Sequence, residues 1–354
     1  EWHLMNILKK TLQLKHHSEF KKYFANTSWV LGERILHLAV SLFISIYVAR
    51  YLGPERYGLL SYALSFVWLF SALAHLGLDD ILVQELVQHR EKRKDLLGTV
   101  FWLKICGTAI MGISITTVLQ FMAEDKQTYW IIIIIAFGFL FQSTNVIELY
   151  FRAQVQSKFA VRVQVVQLFI TSLFKIYLVW SKADLVWFAV ALMLDQAVAA
   201  LLFLIMYRWK IEWFPFFYFR WKQAKKLLRK AWPLIFAGLV VSLYMKIDQV
   251  MLKEMLNAKA VGVYAATAKI CEAWYFLPTA LMASLFPAII EARKKSETVY
   301  DKRVQKLYDL MVWGSVAVAL PTTLLADWVI LILYGEDFQE AADVLRIYIW
   351  AGVF

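Results

Sequence analysis

Residues 44–94 decide the fold, and they read ISIYVARYLGPERYGLLSYALSFVWLFSALAHLGLDDILVQELVQHREKRK. One apolar run ends at Tyr51, a Gly-Pro turn follows at 53–54, and a second apolar run begins at Leu59. The second run ends in a cluster of mostly basic residues at 90–94. Because each run is long enough to cross a bilayer, the stretch predicts a helical hairpin that spans the membrane twice and ends in positive charge.

The hairpin has a second copy 204 residues further along the chain. The matched positions are Leu52 and Leu256, Gly58 and Gly262, Leu59 and Val263, and Arg90 and Lys294. Two copies in the same orientation predict a parallel repeat, whose halves are related by an axis along the membrane normal. We expect six spans in each half, and because the sequence ends inside the tenth, about two further spans beyond it.

The composition is that of a membrane protein. Hydrophobic residues make up 61% of the 354 residues and charged residues 18%, whereas a soluble domain has about 45–50% apolar residues. Ten apolar runs are candidates for spans: 29–50, 59–82, 96–121, 129–151, 161–180, 185–207, 231–252, 261–289, 307–326 and 341–354. The predicted fold class is therefore an all-α polytopic membrane protein.

Basic residues are concentrated in alternate connections between the runs. Of these residues, 26 lie in the set 1–27, 90–95, 152–162, 208–230 and 291–306. Only 6 lie in the set 50–56, 122–128, 181–184, 253–259 and 327–340. The positive-inside rule makes the first set and the N-terminus cytoplasmic. The outer connections are short, which argues against an enzyme with an external catalytic domain.

The repeat divides the chain into four parts. They are an amphipathic cytoplasmic N-terminus (1–28), an N-terminal bundle of spans 1–6 (29–207), a cytoplasmic linker (208–230) and a C-terminal bundle of spans 7–10, truncated in this sequence (231–354). The linker alternates basic and aromatic residues. Beside a membrane span, this pattern favours aromatic rings at the headgroup level and lysines against anionic lipid over a nucleic-acid site. Within the last connection, the apolar stretch Trp328–Tyr334 is too short to span and predicts an interfacial or re-entrant segment.

Six basic residues lie inside the apolar runs, and five of them are candidates for binding an anionic group: Arg34, Lys104, Lys175, Lys246 and Lys269. A charge at mid-bilayer costs about 2.5–3.5 kcal/mol on insertion scales, so such residues normally face a bundle interior or a watery cavity. Arg34 and Lys104 lie in the inner half of their runs and the other three in the outer half. Polar residues recur at helical spacing on the fifth run: Gln164, Gln167, Thr171 and Lys175. The alternative is a set of structural ion pairs, of which Lys269 with Glu272 is the obvious one.

Two segments carry a family resemblance: 48–86, VARYLGPERYGLLSYALSFVWLFSALAHLGLDDILVQEL, and 246–290, KIDQVMLKEMLNAKAVGVYAATAKICEAWYFLPTALMASLFPAII. They resemble the Wzx-type polysaccharide flippases of the multidrug/oligosaccharidyl-lipid/polysaccharide exporter superfamily. The resemblance implies two pseudo-symmetric six-helix bundles in a V around a central cavity, which the five cations would line, and a multi-pass protein of the bacterial cytoplasmic (inner) membrane. It implies a non-enzymatic transporter that flips a polyprenyl-pyrophosphate-linked oligosaccharide to the periplasmic leaflet for surface polysaccharide such as O-antigen. Expected partners are this lipid-linked oligosaccharide, membrane lipids and the proteins that polymerise and export polysaccharide, with no nucleic acid.

Three acids inside the runs are candidates for coupling transport to an ion gradient: Asp195, Asp248 and Glu272. A carboxylate at that depth can bind and release a proton, or else bind sodium. The alternative is that Asp248 and Glu272 merely neutralise Lys246 and Lys269. No cofactor or metal is expected, because the sequence has no phosphate-binding glycine loop, nucleophile motif or metal-ligand cluster.

Two other functions compete with flipping. A drug/cation antiporter of the same superfamily should have a cavity dominated by acids, whereas the formal charge inside these runs is nearly balanced. A polytopic polyprenyl-linked glycosyltransferase or polymerase should carry a large external loop with candidate acid–base residues. That loop is missing from the predicted topology.

Overall fold

The computed structural model describes residues 2–122, 125–215 and 217–353. Side chains are described except at 2–25, 275–281, 283–288, 291–292 and 294–295. The α-helices are α1 Trp2–Leu69, α2 Ser71–His75, α3 Asp79–Gln88, α4 Arg93–Phe121, α5 Lys126–Gln142, α6 Val146–Ala153, α7 Ser157–Trp180, α8 Leu185–Lys210, α9 Trp221–Met255, α10 Ala258–Lys295, α11 Glu297–Leu324, α12 Ala326–Tyr334 and α13 Ala341–Tyr348. Short 3-10 helices lie at Arg90–Lys92, Ser143–Asn145, Glu336–Phe338 and Ile349–Gly352.

Seven helical segments of the described residues are long and apolar enough to cross a membrane. They are Asn26–Leu69, Arg90–Phe121, Lys126–Ala153, Ser157–Trp180, Leu185–Lys210, Trp221–Met255 and Glu297–Leu324. The predicted span 261–289 lies in α10, part of whose side chains are outside the described residues. Of the predicted span 341–354, residues 341–352 form two short helices. The predicted amphipathic pattern of 1–28 also falls almost entirely on side chains that are not described. The all-α polytopic fold class is confirmed.

The turn of the first hairpin lies inside α1. At Gly53 the backbone leaves the helical conformation, with φ 72° and ψ 169°. Glycine adopts a positive φ without the penalty that a Cβ imposes. Pro54 follows with its fixed φ and no N–H to donate, which suits the first turn of the next helix. The Gly-Pro turn predicted from the sequence coincides with this break.

The prediction of one continuous span over 59–82 is wrong. The first helix ends at Leu69, and the short α2 is followed by two residues with positive φ, Leu76 at 52° and Gly77 at 59°. A Cβ at Gly77 would lie 2.6 Å from the Cβ of Leu234 in α9. The break therefore lies where α9 packs too closely to admit a side chain, and the chain resumes in α3.

The linker is shorter than the predicted 208–230. Helix α8 continues to Lys210 and α9 begins at Trp221, so only 211–220 is irregular. The reason lies in the spacing of Ala224, Leu227 and Ala231, which are all fully buried. Their spacing of three and four residues is that of one helix face, so burial of this face extends α9 toward its N-terminus.

Contacts within the chain divide it into two compact units. Unit 1 comprises Glu1–Ser41 and Ala63–Asp248, and unit 2 comprises Leu42–Tyr62 and Gln249–Phe354. The core of unit 1 is formed by buried side chains from α3, α4, α6 and α8, together with the start of α9. These units follow contact density whereas the predicted bundles follow the sequence repeat, so the bundle boundaries stay a prediction.

Unit 2 is built around buried aromatic residues of the first hairpin and of the segment after α11. The rings of Tyr57 and Phe338 meet edge to face at 6.3 Å between centroids, and Tyr334 lies 5.3 Å from Phe338. The Tyr334 hydroxyl donates to the carbonyl of Ala266 at 3.1 Å. The apolar stretch predicted to be interfacial is thus the nine-residue helix α12, anchored on α10.

The two copies of the hairpin contact each other through their backbones within unit 2. A Cβ at Gly58 would lie 1.8 Å from the Ala258 carbonyl oxygen, and a Cβ at Gly262 would lie 1.9 Å from the Pro54 carbonyl oxygen. Pro54 and Ala258 are themselves 204 residues apart, as are the two glycines. The glycine of each copy therefore packs against a backbone carbonyl of the other copy. This reciprocal contact is the one expected about a two-fold axis. Small residues allow this close approach of membrane helices.

A buried acid fixes the start of α9 to α3 in unit 1. Glu85 is 2% exposed and accepts hydrogen bonds from Lys230 at 2.6 Å and Lys226 at 3.0 Å. Burial favours the neutral acid, but the two ammonium groups outweigh it and hold the pKa of Glu85 below its usual value. The carboxylate is therefore ionised at neutral pH and neutralises part of the basic charge of the linker region.

Replacing either Gly58 or Gly262 with alanine should destabilise the fold by about 1–3 kcal/mol, because the new methyl group would overlap a backbone carbonyl. Thermal unfolding of the purified protein in detergent measures the effect. Alanine at Gly112 or Gly314 is the matched control, because a Cβ there meets nothing within 4 Å. Equal melting temperatures for all four variants would contradict the backbone contact.

Replacing Glu85 with glutamine should lower the free energy of unfolding by about 1–3 kcal/mol at neutral pH, less than for a fully buried pair because both lysines are half-exposed. Since the folded-state pKa is depressed, the wild-type advantage is full above the ordinary value of 4.5 and is lost as the pH falls through the lower folded-state value. Thermal melts over this pH range test it. The control is Glu91→Gln, on an exposed neighbour, and a pH-independent difference would refute the assignment.

Candidate functional site

Two charged side chains of the described residues are almost fully buried, Glu85 and Lys104, and both lie in unit 1. Lys104 in α4 is 2% exposed. Its Nζ donates to Oδ1 of Asp79 at 2.5 Å and to Oδ1 of Asn145 at 2.7 Å. His75 Nδ1 lies 3.6 Å from the other oxygen of Asp79. A lysine in an apolar helix is tolerated when it is paired and hydrogen-bonded in this way.

The break after α2 makes this pairing possible. It ends one helix at His75 and starts α3 at Asp79, so that Asp79 lies in the first turn of α3. A carboxylate there is favoured by the positive end of the helix dipole. The local break in the hairpin thus supplies the anion that neutralises Lys104.

Two further carboxylates act on the same cluster. Glu148 in α6 accepts a hydrogen bond from Gln164 and interacts electrostatically with Lys104, Asp79 and Glu33. Glu33 interacts in turn with Arg34 and His37 of its own helix. Unit 1 therefore contains a connected set of acidic and basic groups around one lysine, able to hold a cation or to exchange a proton.

A second ion pair joins α7 to α8. Lys175 Nζ donates to Oδ2 of Asp195 at 2.6 Å, and about a fifth of each side chain is exposed. Gln167 lies 3.4 Å from both Oδ1 of Asp195 and the hydroxyl of Thr171. The helix face Gln167, Thr171 and Lys175 thus exists, and it brings a predicted substrate cation to a predicted coupling acid.

Within unit 1, Lys104 and Lys175 lie in separate ion pairs. Arg34 is exposed on α1 and interacts with Glu33. The remaining four predicted site residues are half-buried and each has an interaction partner: Lys246 and Asp248 in unit 1, and Lys269 and Glu272 in unit 2. The ion-pair alternative therefore describes Lys104 and Lys175, although a role in binding substrate stays a prediction for all five cations.

Sequence reasoning missed Asp79 and Glu85. The left-handed pair at 76–77 lets α3 begin at Asp79 and brings this carboxylate to Lys104, and Gly77 is the signal of the break in the sequence. In the described part of the chain, no group of three His, Cys, Asp or Glu side chains is placed to hold a metal ion.

Comparisons with known proteins identify the family. Residues 23–293 match the family model described as "Polysaccharide biosynthesis protein". Among solved structures, an inward-facing multidrug resistance MATE family transporter of the MOP superfamily is similar, with a TM-score of 0.62 and 13% identity. The match covers 90% of this chain and 81% of that transporter, and at this identity it shows the fold alone. The comparison with curated proteins gave no match. Since the family model covers most of the chain, which confirms the resemblance, this protein belongs to the polysaccharide biosynthesis protein family and has the fold of a MOP-superfamily transporter.

Proposed function

We propose that this protein flips a polyprenyl-pyrophosphate-linked oligosaccharide across the bacterial inner membrane. By alternating access, the lipid-linked oligosaccharide passes from the cytoplasmic to the periplasmic leaflet and enters surface polysaccharide such as O-antigen. The observation that carries the proposal is a polysaccharide biosynthesis family match on a transporter fold. The paired charges Lys104 and Lys175 in spanning helices support it, because such groups are costly and often mark transport pathways.

The ion pairs define what the cations would do. Inside the spans, Lys104 and Lys175 are each held by a carboxylate. A diphosphate that binds at such a lysine must replace the carboxylate. The lysine then exchanges one anion for another and is never without a counter-ion. Arg34, Lys246 and Lys269 would serve the same purpose at other depths. Arg34 can hold a phosphate through two parallel hydrogen bonds, which a lysine cannot.

The Lys175–Asp195 pair suggests how transport is coupled to an ion gradient. When the substrate takes Lys175, Asp195 loses its cation and can accept a proton or sodium in its place. Asp248 and Glu272 are further candidates for this exchange, beside Lys246 and Lys269. Substrate and ion would then bind together, and the coupling free energy equals the difference that one makes to the affinity of the other.

A drug/cation antiporter is the second candidate. Glu148 interacts with the acids Glu33 and Asp79 as well as with Lys104, and a surplus of acids suits a cationic substrate. The solved structure that is similar is a multidrug transporter. Transport assays with an organic cation and with a lipid-linked oligosaccharide distinguish the two functions directly.

Removing the five cations should abolish flipping. In proteoliposomes supplied with a lipid-linked oligosaccharide, Lys104→Gln and Lys175→Gln should each reduce the initial rate by at least about tenfold, the cost of one charge-assisted hydrogen bond. Lys→Arg should retain more activity than Lys→Gln, whereas Arg34→Lys should lose activity although it keeps the charge. Lys126→Gln, at an exposed position, is the control.

The same vesicles separate substrate binding from coupling. Asp195→Asn should still flip but lose its dependence on the proton or sodium gradient, and Asp248→Asn and Glu272→Gln are compared beside it. A wild-type rate from the variant with all five cations replaced by glutamine would disprove the role of these cations. Unchanged gradient dependence in all three acid variants would disprove the coupling.

We also propose that the N-terminus and the linker are cytoplasmic, on the basis of the 26-to-6 distribution of basic residues. Single cysteines replace Lys222 or Asn257, both exposed, after the native Cys106 and Cys271 are changed to alanine. A membrane-impermeant thiol reagent on intact cells should label position 257 and spare position 222. Labelling of 222 alone would reverse the orientation.

A further inference from the structure

A cavity of about 950 Å³ lies at the end of unit 1 where four segments meet. These are residues 26–29 of α1, the first turn of α4, the connection from α6 to α7 and the end of α8. Its wall includes Trp29, Arg93, Tyr150, Lys158, Phe159 and Lys210. We call this cavity the basic basin, and it is separate from the ion pairs of Lys104 and Lys175.

Three cations surround one aromatic ring at the basin. Lys158 Nζ lies 5.1 Å, Lys210 Nζ 5.3 Å and Arg162 Cζ 5.9 Å from the centre of the Phe159 ring. Cation–π attraction holds them together at the ring. Among the described residues, none of the three has a carboxylate within ion-pair distance. Their charges are therefore gathered at one place, where no carboxylate of the described residues neutralises them.

The carboxylate that lines the basin is already engaged. Glu212 forms ion pairs with Arg93 and with Lys94, the latter at 2.8 Å. The hydrogen bond from Lys94 lowers the pKa of Glu212, which keeps it ionised and bound to these two partners. The Nε of Arg93 is buried, and it has no hydrogen-bond partner in the part of the chain that the structure describes. Among the described residues, Glu212 therefore does not neutralise Lys158, Arg162 or Lys210.

The N-terminus of α7 adds to this positive potential. This helix of 24 residues begins at Ser157, next to the basin. Asn26 of α1 accepts a hydrogen bond from the Ser157 backbone N–H at 2.8 Å and donates to its hydroxyl at 3.1 Å. The dipole of a helix favours an anion at its N-terminus. The Asn26 bonds also hold α1 in place as one wall of the basin.

Aromatic residues around the basin indicate that it opens at the level of the lipid headgroups. Trp29 is 50% exposed. Trp209 and Trp213, which flank the basin residues 210–212 in the sequence, are each 73% exposed. Exposed tryptophans next to spanning helices are typical of the membrane–water interface. A ligand with a phosphate for the cations and an apolar part for the rings fits both kinds of surface.

We propose that the basic basin binds the phosphate of a lipid headgroup. The phosphate lies against Lys158, Lys210 and Arg162, and the glycerol or prenyl part lies against Trp29 and Tyr150. The two sources of this chemistry are an anionic phospholipid of the bilayer and the diphosphate of a lipid-linked substrate. The site follows from unit 1 alone and does not rest on the proposed transport.

The experiment titrates the purified full chain with short-chain lipids by isothermal calorimetry. The probes are dioctanoyl phosphatidylglycerol and farnesyl diphosphate, with dioctanoylglycerol and farnesol as partners that lack phosphate. The variant Lys158→Gln/Arg162→Gln/Lys210→Gln should bind the phosphate-bearing lipids at least about tenfold more weakly than wild type. The matched control removes three exposed cations outside both the basin and the linker, Lys126→Gln/Lys182→Gln/Lys302→Gln, and should bind like wild type.

The outcomes separate the two sources and the two proposals. Weakening for phosphatidylglycerol alone assigns the basin to bilayer lipid, and weakening for farnesyl diphosphate alone assigns it to the substrate. Equal affinities of the basin variant and the control variant, or equal binding of lipids without phosphate, would overturn the phosphate site. The binding of phosphatidylglycerol does not depend on transport. If the protein did not flip a lipid-linked oligosaccharide, this test of the basin would still be valid.

Discussion

The contact between the two copies of the hairpin is the constraint on which the rest of unit 2 depends. Gly58 meets the carbonyl of Ala258, and Gly262 meets the carbonyl of Pro54, at distances that leave no room for a Cβ. A lipid environment gives no hydrophobic force between apolar helices, so close backbone packing must supply the attraction. The repeat thereby stabilises itself, because each copy provides both the glycine and the carbonyl.

The apolar solvent imposes a second constraint, which governs the charges of unit 1. Lys104 and Lys175 each lie on a different helix from the acid that neutralises them, and each pair joins two helices. A hydrophobic pair would join these helices at lower cost, since removing two charges from water is expensive. The retention of paired charges in the spans is therefore better explained by a task that needs them than by stability.

The sequence predicts those features that depend on the spacing of nearby residues. It does not predict contacts between residues that are far apart in the chain. The Gly-Pro turn, the 204-residue repeat and the helix face Gln167, Thr171 and Lys175 follow from spacing alone. The partners of the buried lysines do not, because Asp79 precedes Lys104 by 25 residues and Asp195 follows Lys175 by 20. The break at 76–77 does not follow from the sequence, because a single glycine in an apolar run does not indicate that α9 packs against it.

The ion pairs and the basin differ in what an anion must do to bind. At Lys104 and Lys175 it must displace a carboxylate, and the energy of the pair is subtracted from the energy of binding. At the basin, no carboxylate of the described residues lies within ion-pair distance of the three cations. Water at the headgroup level also lowers the cost of desolvating the anion. An anion that visits both places would therefore bind first at the basin. The paired sites in the spans would then select for a ligand charged strongly enough to replace an acid.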